Sequence, residues 1–315
     1  MPRHTLMTGA VAALMTTAAA AEMPDGPIEV IVGYSAGGGT DVMARTVANH
    51  LEEELGDGLS VVVKNMPGAG GQIGFTEVAQ AQADGSTLGT FNLPAALALT
   101  LDRDASYDAD SYTYLANFVQ DPNTIVVPRD AGYESLDDLL DAAREAPGAL
   151  PMALSSLGGN DHFSAILMQE AADVEFTMVP FKGASMARSA LMGGHVAVGT
   201  MTLGQTVGFE ENLKVLAVLD DERSEVAPDV PTAQELGYDV QMGSFRGLVA
   251  PADLPEDVRT SLGDALTALS EDKALLTELR EQGSPVNIVL GDDYRALAEE
   301  QAEIAARIWE ETPWK

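Results

Sequence analysis

Three times in this chain a short apolar run passes through a glycine-bearing loop into a segment of helical periodicity. Residues 28–32 lead through Gly33, Gly37, Gly38 and Gly39 to a helix predicted from Asp41 to Leu55. Residues 59–63 lead through Gly68, Gly70 and Gly71 to a helix over 72–82, and residues 152–154 through Gly158 and Gly159 to a helix over 161–171. Strand, loop and helix in this alternation predict layered α/β structure. Further strands are expected at 87–91, 114–119, 123–127, 176–179, 196–200, 215–219 and 245–250. Helices are expected after Ser135, over 185–192, twice within 255–282 and over 292–309.

A helix start leaves backbone N–H groups without partners, and the aligned peptide dipoles add partial positive charge there. Two such starts facing one cleft make an anion clamp out of backbone alone. Each is worth about 0.3–1 kcal/mol to a nearby anion when exposed, and about 2 kcal/mol when partly buried. This matters because the chain carries 17 Lys and Arg against 49 Asp and Glu, a formal charge of −32. Such an acidic surface excludes a nucleic-acid partner and disfavours anionic membranes. A clamp of local donors does not depend on that net charge, and salt screens the remote carboxylates. The glycines could instead only permit tight turns, a reading that stays open for 68–71 alone.

Catalytic and cofactor chemistry finds little to work with. Cys is absent, so there are no disulfides, thiolate metal sites or cysteine nucleophiles. Beyond the leader the His residues are His50, His162 and His195, none three or four positions from another, so close zinc spacings are missing. Gly33 is followed by Ser35 where a dinucleotide fingerprint needs Gly, and neither early glycine loop carries the Gly-Lys of a phosphate-binding loop. Gly183-Ala184-Ser185-Met186-Ala187 lacks the second glycine of a serine elbow. No metal and no cofactor are expected. The alternative function is a soluble α/β enzyme acting on a small carboxylate, with His162 as general base.

Residues 1–21 read as a signal peptide: Arg3 and His4, an apolar stretch from Leu6 to Met15, then Ala19-Ala20-Ala21 as an Ala-x-Ala site before Glu22. That stretch is too brief to span a bilayer. A soluble exported protein is expected. With no floppy linker between two α/β units, the chain is expected to cross between them more than once. The division is 22–121 with 247–315 as lobe 1, and 122–246 as lobe 2.

Four segments carry a family likeness. They are Ile31-Val32-Gly33-Tyr34-Ser35-Ala36-Gly37-Gly38-Gly39-Thr40-Asp41 with Arg45, and Asn65-Met66-Pro67-Gly68-Ala69-Gly70-Gly71-Gln72-Ile73-Gly74. The third joins Gly158-Gly159-Asn160-Asp161-His162, Val179-Pro180-Phe181-Lys182-Gly183 and Leu191-Met192-Gly193-Gly194-His195-Val196. The fourth is Asp229-Val230-Pro231-Thr232 followed by Ser244-Phe245-Arg246-Gly247-Leu248-Val249-Ala250-Pro251. In this order the chain resembles the periplasmic solute-binding receptors of tripartite tricarboxylate transporters.

The resemblance implies a two-lobed periplasmic binding protein fold with a ligand cleft between the lobes. It implies a non-enzymatic receptor for a small organic anion, in the periplasm, docking on a two-component permease of one large and one small subunit. A monomer is expected. Carried over residue by residue, Tyr34, Ala36, Gly37, Gly38 and Thr40 would form the clamp of lobe 1. Ser155, Gly158, Gly159, Asn160 and His162 would form that of lobe 2. Asp41 would cap its helix and fix the loop. Lys182 and Arg246 are the basic residues expected near the cleft, and Asn92 could face its mouth. Arg246 could hold a ligand carboxylate bidentately or pair with an acidic side chain between the lobes. Lys182 could equally support the 180–183 turn, and Asn92 could cap the helix that follows it. Ala36 stands where relatives often have Pro, which should loosen the first clamp. Ala197 and Gly199 stand where many relatives carry an acidic residue, which argues for a di- or tricarboxylate or an aromatic acid over an amino acid.

Overall fold

The computed structural model describes residues 26–56 and 58–314; the leader expected over 1–21 lies outside them. The first α/β unit opens with β1 (Ile28–Val32), α1 (Gly39–Leu55), β2 (Val61–Asn65), α2 (Gln72–Gln80), β3 (Thr87–Leu93) and α3 (Ala95–Asp102). A long strand β4 (Tyr112–Pro128) then leads to α4 (Leu136–Glu145), β5 (Pro151–Leu154), α5 (Asn160–Ala172), β6 (Thr177–Pro180) and α6 (Ala184–Met192). After β7 (Val198–Thr202) and β8 (Leu213–Val218), β9 (Gly243–Pro251) is followed by α7 (Glu256–Glu271), α8 (Lys273–Glu281), β10 (Val286–Leu290) and α9 (Gly291–Glu311). Among the described residues no helix is long and apolar enough to cross a membrane.

The sheet runs β2-β1-β3-β9-β4-β7-β5-β6, with β8 and β10 also pairing with β4. At one end β1 lies parallel to β2 and β3; at the other β5 lies parallel to β6 and β7. Antiparallel β9 and β4 join the two triplets. The segments expected as separate strands at 114–119 and 123–127 are one strand. Up to Pro122 it pairs with β9, and from Asn123 it pairs with β7 and β8. Pro122 has no N–H to give, and it sits where the partners change, so the strand survives a residue that reads as a break.

Strand β10 is not foreseen, and α3 is foreseen only as the helix that Asn92 could cap, with no bounds. Helix α3 spells Ala-Ala-Leu-Ala-Leu-Thr-Leu-Asp and has no polar face to give it a helical period. Each triplet has its own apolar layers. Val30, Val47 and Leu266 belong to a layer on the first side, and Leu139, Met168 and Leu216 to one on the second. A further cluster bridges them: Ala98 of α3, Phe163 and Ile166 of α5, Ala305 and Ile308 of α9, and Trp314. The end of α9 is therefore not confined to the first half.

Backbone proximity at the β9–β4 junction leaves no room for a side chain at Gly247. A Cβ there would stand 2.5 Å from the Ala116 carbonyl oxygen and 2.6 Å from the Tyr294 hydroxyl. Gly247→Ala should cost about 2 kcal/mol or more in urea denaturation, since neither backbone nor a buried Tyr can yield cheaply. A variant as stable as the parent would show that this junction can shift.

Candidate functional site

Ligand sites of open α/β sheets lie beyond the carboxyl ends of parallel strands. Here β1 ends in the loop before α1, β5 in the loop before α5, and β6 in the loop before α6. Positive φ values at Gly37 (80°), Gly158 (72°) and Gly183 (110°) let each loop turn into its helix. All three helix starts line one cavity of about 600 Å³: Gly38, Gly39 and Thr40 from α1, Gly159 and Asn160 from α5, Gly183 and Ala184 from α6. The caps Gly38, Gly159 and Gly183 carry no side chain to satisfy the first N–H groups.

Two of the loops are held by the same device. Asp41, inside the first turn of α1, accepts the Gly37 N–H at 2.8 Å, and it is paired with Arg45 and bonded by Asn65. Burial would raise its carboxyl, but the hydrogen bonds of Arg45, Gly37 and Asn65, with the charge of Arg45, hold it below its usual value. Asp161, in the first turn of α5, accepts the Ser155 N–H at 3.0 Å and is also bonded by Asn123 and Asn160. Burial dominates at Asp161 and pushes its carboxyl up, against the bonds of Ser155 and Asn123. In each case a helix-start carboxylate pulls its preceding loop tight.

Arg246 is 8% exposed and lies against the start of α1: a Cβ at Gly39 would meet its Nη1 at 3.0 Å. A guanidinium pressed on the positive end of a helix is unfavourable unless negative charge shares the space. Asp121 supplies part of it, accepting from Arg246 Nη2 at 2.8 Å while its other oxygen takes the Gly204 N–H at 3.0 Å. Arg246 is thus paired with an acid at the junction, the second of its two sequence readings, and it also lines the cavity. Asn92 lines it too, donating to Thr40 Oγ1 at 2.9 Å, and its Oδ1 has no partner among the described residues. Thr40, having accepted that bond, keeps its own hydroxyl proton to give.

Of the residues singled out in the sequence, Tyr34, Gly38, Thr40, Asn92, Ser155, Gly159, Asn160, Lys182 and Arg246 line this cavity. Four do not. Ala36 and Gly37 are exposed beyond it. Gly158 lines an adjoining cavity instead, and His162 lies behind the loop, where the Gly158 N–H donates to its Nδ1 at 3.2 Å. That buried imidazole holds the loop and does not face the cavity, so the base required by the enzymatic alternative is absent from it. The 68–71 loop has a packing role: a Cβ on Gly33 would meet the Gly71 oxygen at 2.9 Å, and one on Gly74 the Gly33 Cα at 2.7 Å. Only Gly70 of that loop reaches the cavity. The start of α6 takes its place, and with it Phe181, Gly183 and Ala184 join the lining, as do Ser156, Gln205 and Ser244. The Gly183-Ala184-Ser185 run was the visible signal for it.

Burial holds the His162 imidazole down to about 4, against an ordinary value of about 6.5. Between those values the unfolded chain binds a proton that the folded one refuses. The stability tied to neutral His162 is therefore full above about pH 6.5 and lost as pH falls towards 4. His162→Gln should lose about 2 kcal/mol less than the parent between pH 7 and 4.5 in paired urea titrations. Parallel losses in the two proteins would contradict this.

The family model described as tripartite tricarboxylate transporter family receptor matches residues 43–313. Protein BugT of Bordetella pertussis is 31% identical over 309 residues, spanning 96% of this chain and 94% of its own. A Rhodopseudomonas palustris protein solved with adipate superposes with a TM-score of 0.81 at 27% identity, over 92% of this chain and 98% of its own. MatC from the same organism, solved with bound malate, gives 0.75 at 28% identity, over 92% of this chain and all (100%) of its own. With the two halves of the sheet and the helix starts between them, these matches establish that the chain belongs to the tripartite tricarboxylate transporter family of receptors.

Proposed function

We propose that this protein is a periplasmic receptor that captures a small organic carboxylate in the cavity between the starts of α1, α5 and α6, and delivers it to a membrane permease. One observation carries the reading: three uncapped helix starts and Arg246 converge on a single cavity in a chain of formal charge −32. Positive potential is concentrated only where donors are local, so an anion is the guest that fits. The adipate and malate of the two similar structures are carboxylates, in keeping with this. A receptor needs to bind and release, and for that the lining offers backbone N–H groups, hydroxyls and a guanidinium.

The division into 22–121 with 247–315 and 122–246 is taken for the lobes, with the end of α9 and Trp314 packed across onto α5; the lobes meet where β4 changes partners at Pro122 and where β9 returns at Arg246. Closure about those two crossings brings the α1 start onto the α5 and α6 starts and expels water, which strengthens each donor. The closed monomer then docks on a permease of one large and one small subunit. Tyr34, Gly38, Thr40 and Asn92 hold the ligand from one side, with Arg246 at the crossing. Ser155, Gly159, Asn160 and Lys182 hold it from the other.

Thermal unfolding of the exported form against a panel of di-, tri- and aromatic carboxylates should show a rise in midpoint with at least one acid. Removing Arg246 alone would strand the buried Asp121 carboxylate, so the informative pair is Asp121→Asn and Asp121→Asn with Arg246→Ala. By calorimetry the single variant should keep the affinity for that acid, and the double should lose about tenfold or more. Equal affinity in the two would remove Arg246 from the site.

A further inference from the structure

The cleft does not end at the helix starts. A second cavity, of about 430 Å³, adjoins it, and the two share Gly70, Ala95, Ser156, Gly159 and Phe181 as lining. Leu99 of α3, Leu157 from the loop before α5, and Trp314 beyond α9 complete its apolar wall. Leu99 is fixed in a buried layer with Phe91 and Leu93, and Leu157 packs on the cluster of Phe163 and Trp314. The boundary between the chambers carries Gly70, at φ 72°, whose missing Cβ would stand 3.5 Å from a Leu99 methyl. A side chain there would occupy the shared edge.

Charge separates the two chambers. The first has Arg246, Lys182 and the helix starts. In the second the charged residues are Asp102 and Arg103, which spend their charges on each other through Nε–Oδ1 and Nη2–Oδ2 contacts of 2.5 and 2.7 Å. It therefore adds apolar surface and no net charge. We infer that this second chamber receives the apolar body of the ligand, so that the guest is an acid with one carboxylate at the helix starts and an aromatic or extended aliphatic body among Leu99, Leu157, Phe181 and Trp314. This rests on the reading of the first chamber as a carboxylate site. A second or third carboxylate would be desolvated there without a free cation to pair it. A ring would instead gain apolar burial and edge contacts with Phe181 and Trp314.

The test is isothermal titration of the exported form with 3-phenylpropionate, succinate and citrate, repeated on Leu157→Trp, which fills the second chamber from its half-buried wall. In the parent, 3-phenylpropionate should bind about tenfold tighter than succinate or citrate. Leu157→Trp should abolish that advantage and leave any succinate binding within about twofold. Tighter binding of succinate or citrate than of 3-phenylpropionate would overturn the inference while leaving the carboxylate site intact. So would a variant that weakens succinate and 3-phenylpropionate alike. Binding of none of the three would overturn the inference, while the carboxylate reading would fall only if the whole panel of acids left the unfolding midpoint unchanged. Should the variant fail to fold, the comparison of the three acids on the parent decides alone.

Discussion

An anion has to be held inside a molecule whose surface repels it, and the Arg246–Asp121 pair beside the start of α1 shows how. The guanidinium is buried against a positive helix end, which is tolerable because Asp121 balances part of its charge and leaves the rest directed at the cavity. The same Asp121 reaches across to the Gly204 N–H, so the charge balance of the cavity and the junction of the two halves of the sheet are one interaction. Remote carboxylates act through water and salt, whereas these groups act at contact distance in a partly dry space.

Around that pair the site is built mainly of backbone. Asp41 and Asp161 do not meet a ligand's charge head on; they spend their oxygens on Gly37, Ser155, Asn65, Asn123 and Asn160 and so hold the loops in place. His162 does the same for Gly158 from behind. Preorganisation of this kind reduces what must be ordered when a guest arrives. The helix starts can then present N–H groups whose positions are set before binding. Helix α9 adds a structural tie, since Tyr294 at its beginning packs in the layer of Phe91 and Trp314 beyond its end packs on Phe163.

Much of this was legible in the residue pattern. The glycine loops before α1 and α5 and Asp41 at the first helix start could be named without coordinates, because local backbone geometry favours those residue types; Arg246 rests on the family likeness, and the matching role of Asp161 is visible only in the structure. The loop at 68–71 shows the limit. It has the same appearance as the others, yet its glycines serve the close approach of α2 to Gly33. The start of α6 shows the converse: Gly183-Ala184-Ser185 stands plainly in the sequence, but a short helix carries no mark of which cavity it faces.

Alternation of apolar runs, glycine turns and helical periods determined the layered α/β fold and the supply of bare helix starts, since these follow from dihedral preferences and burial within a few residues. Which starts share a cavity was decided by the tertiary structure alone, because it depends on how β9 and β4 join two distant strand triplets. The same holds for the partner of Arg246. Asp121 and Arg246 are far apart in the chain, and with 49 acidic residues to choose from only the register of β4 on β9 sets them at 2.8 Å.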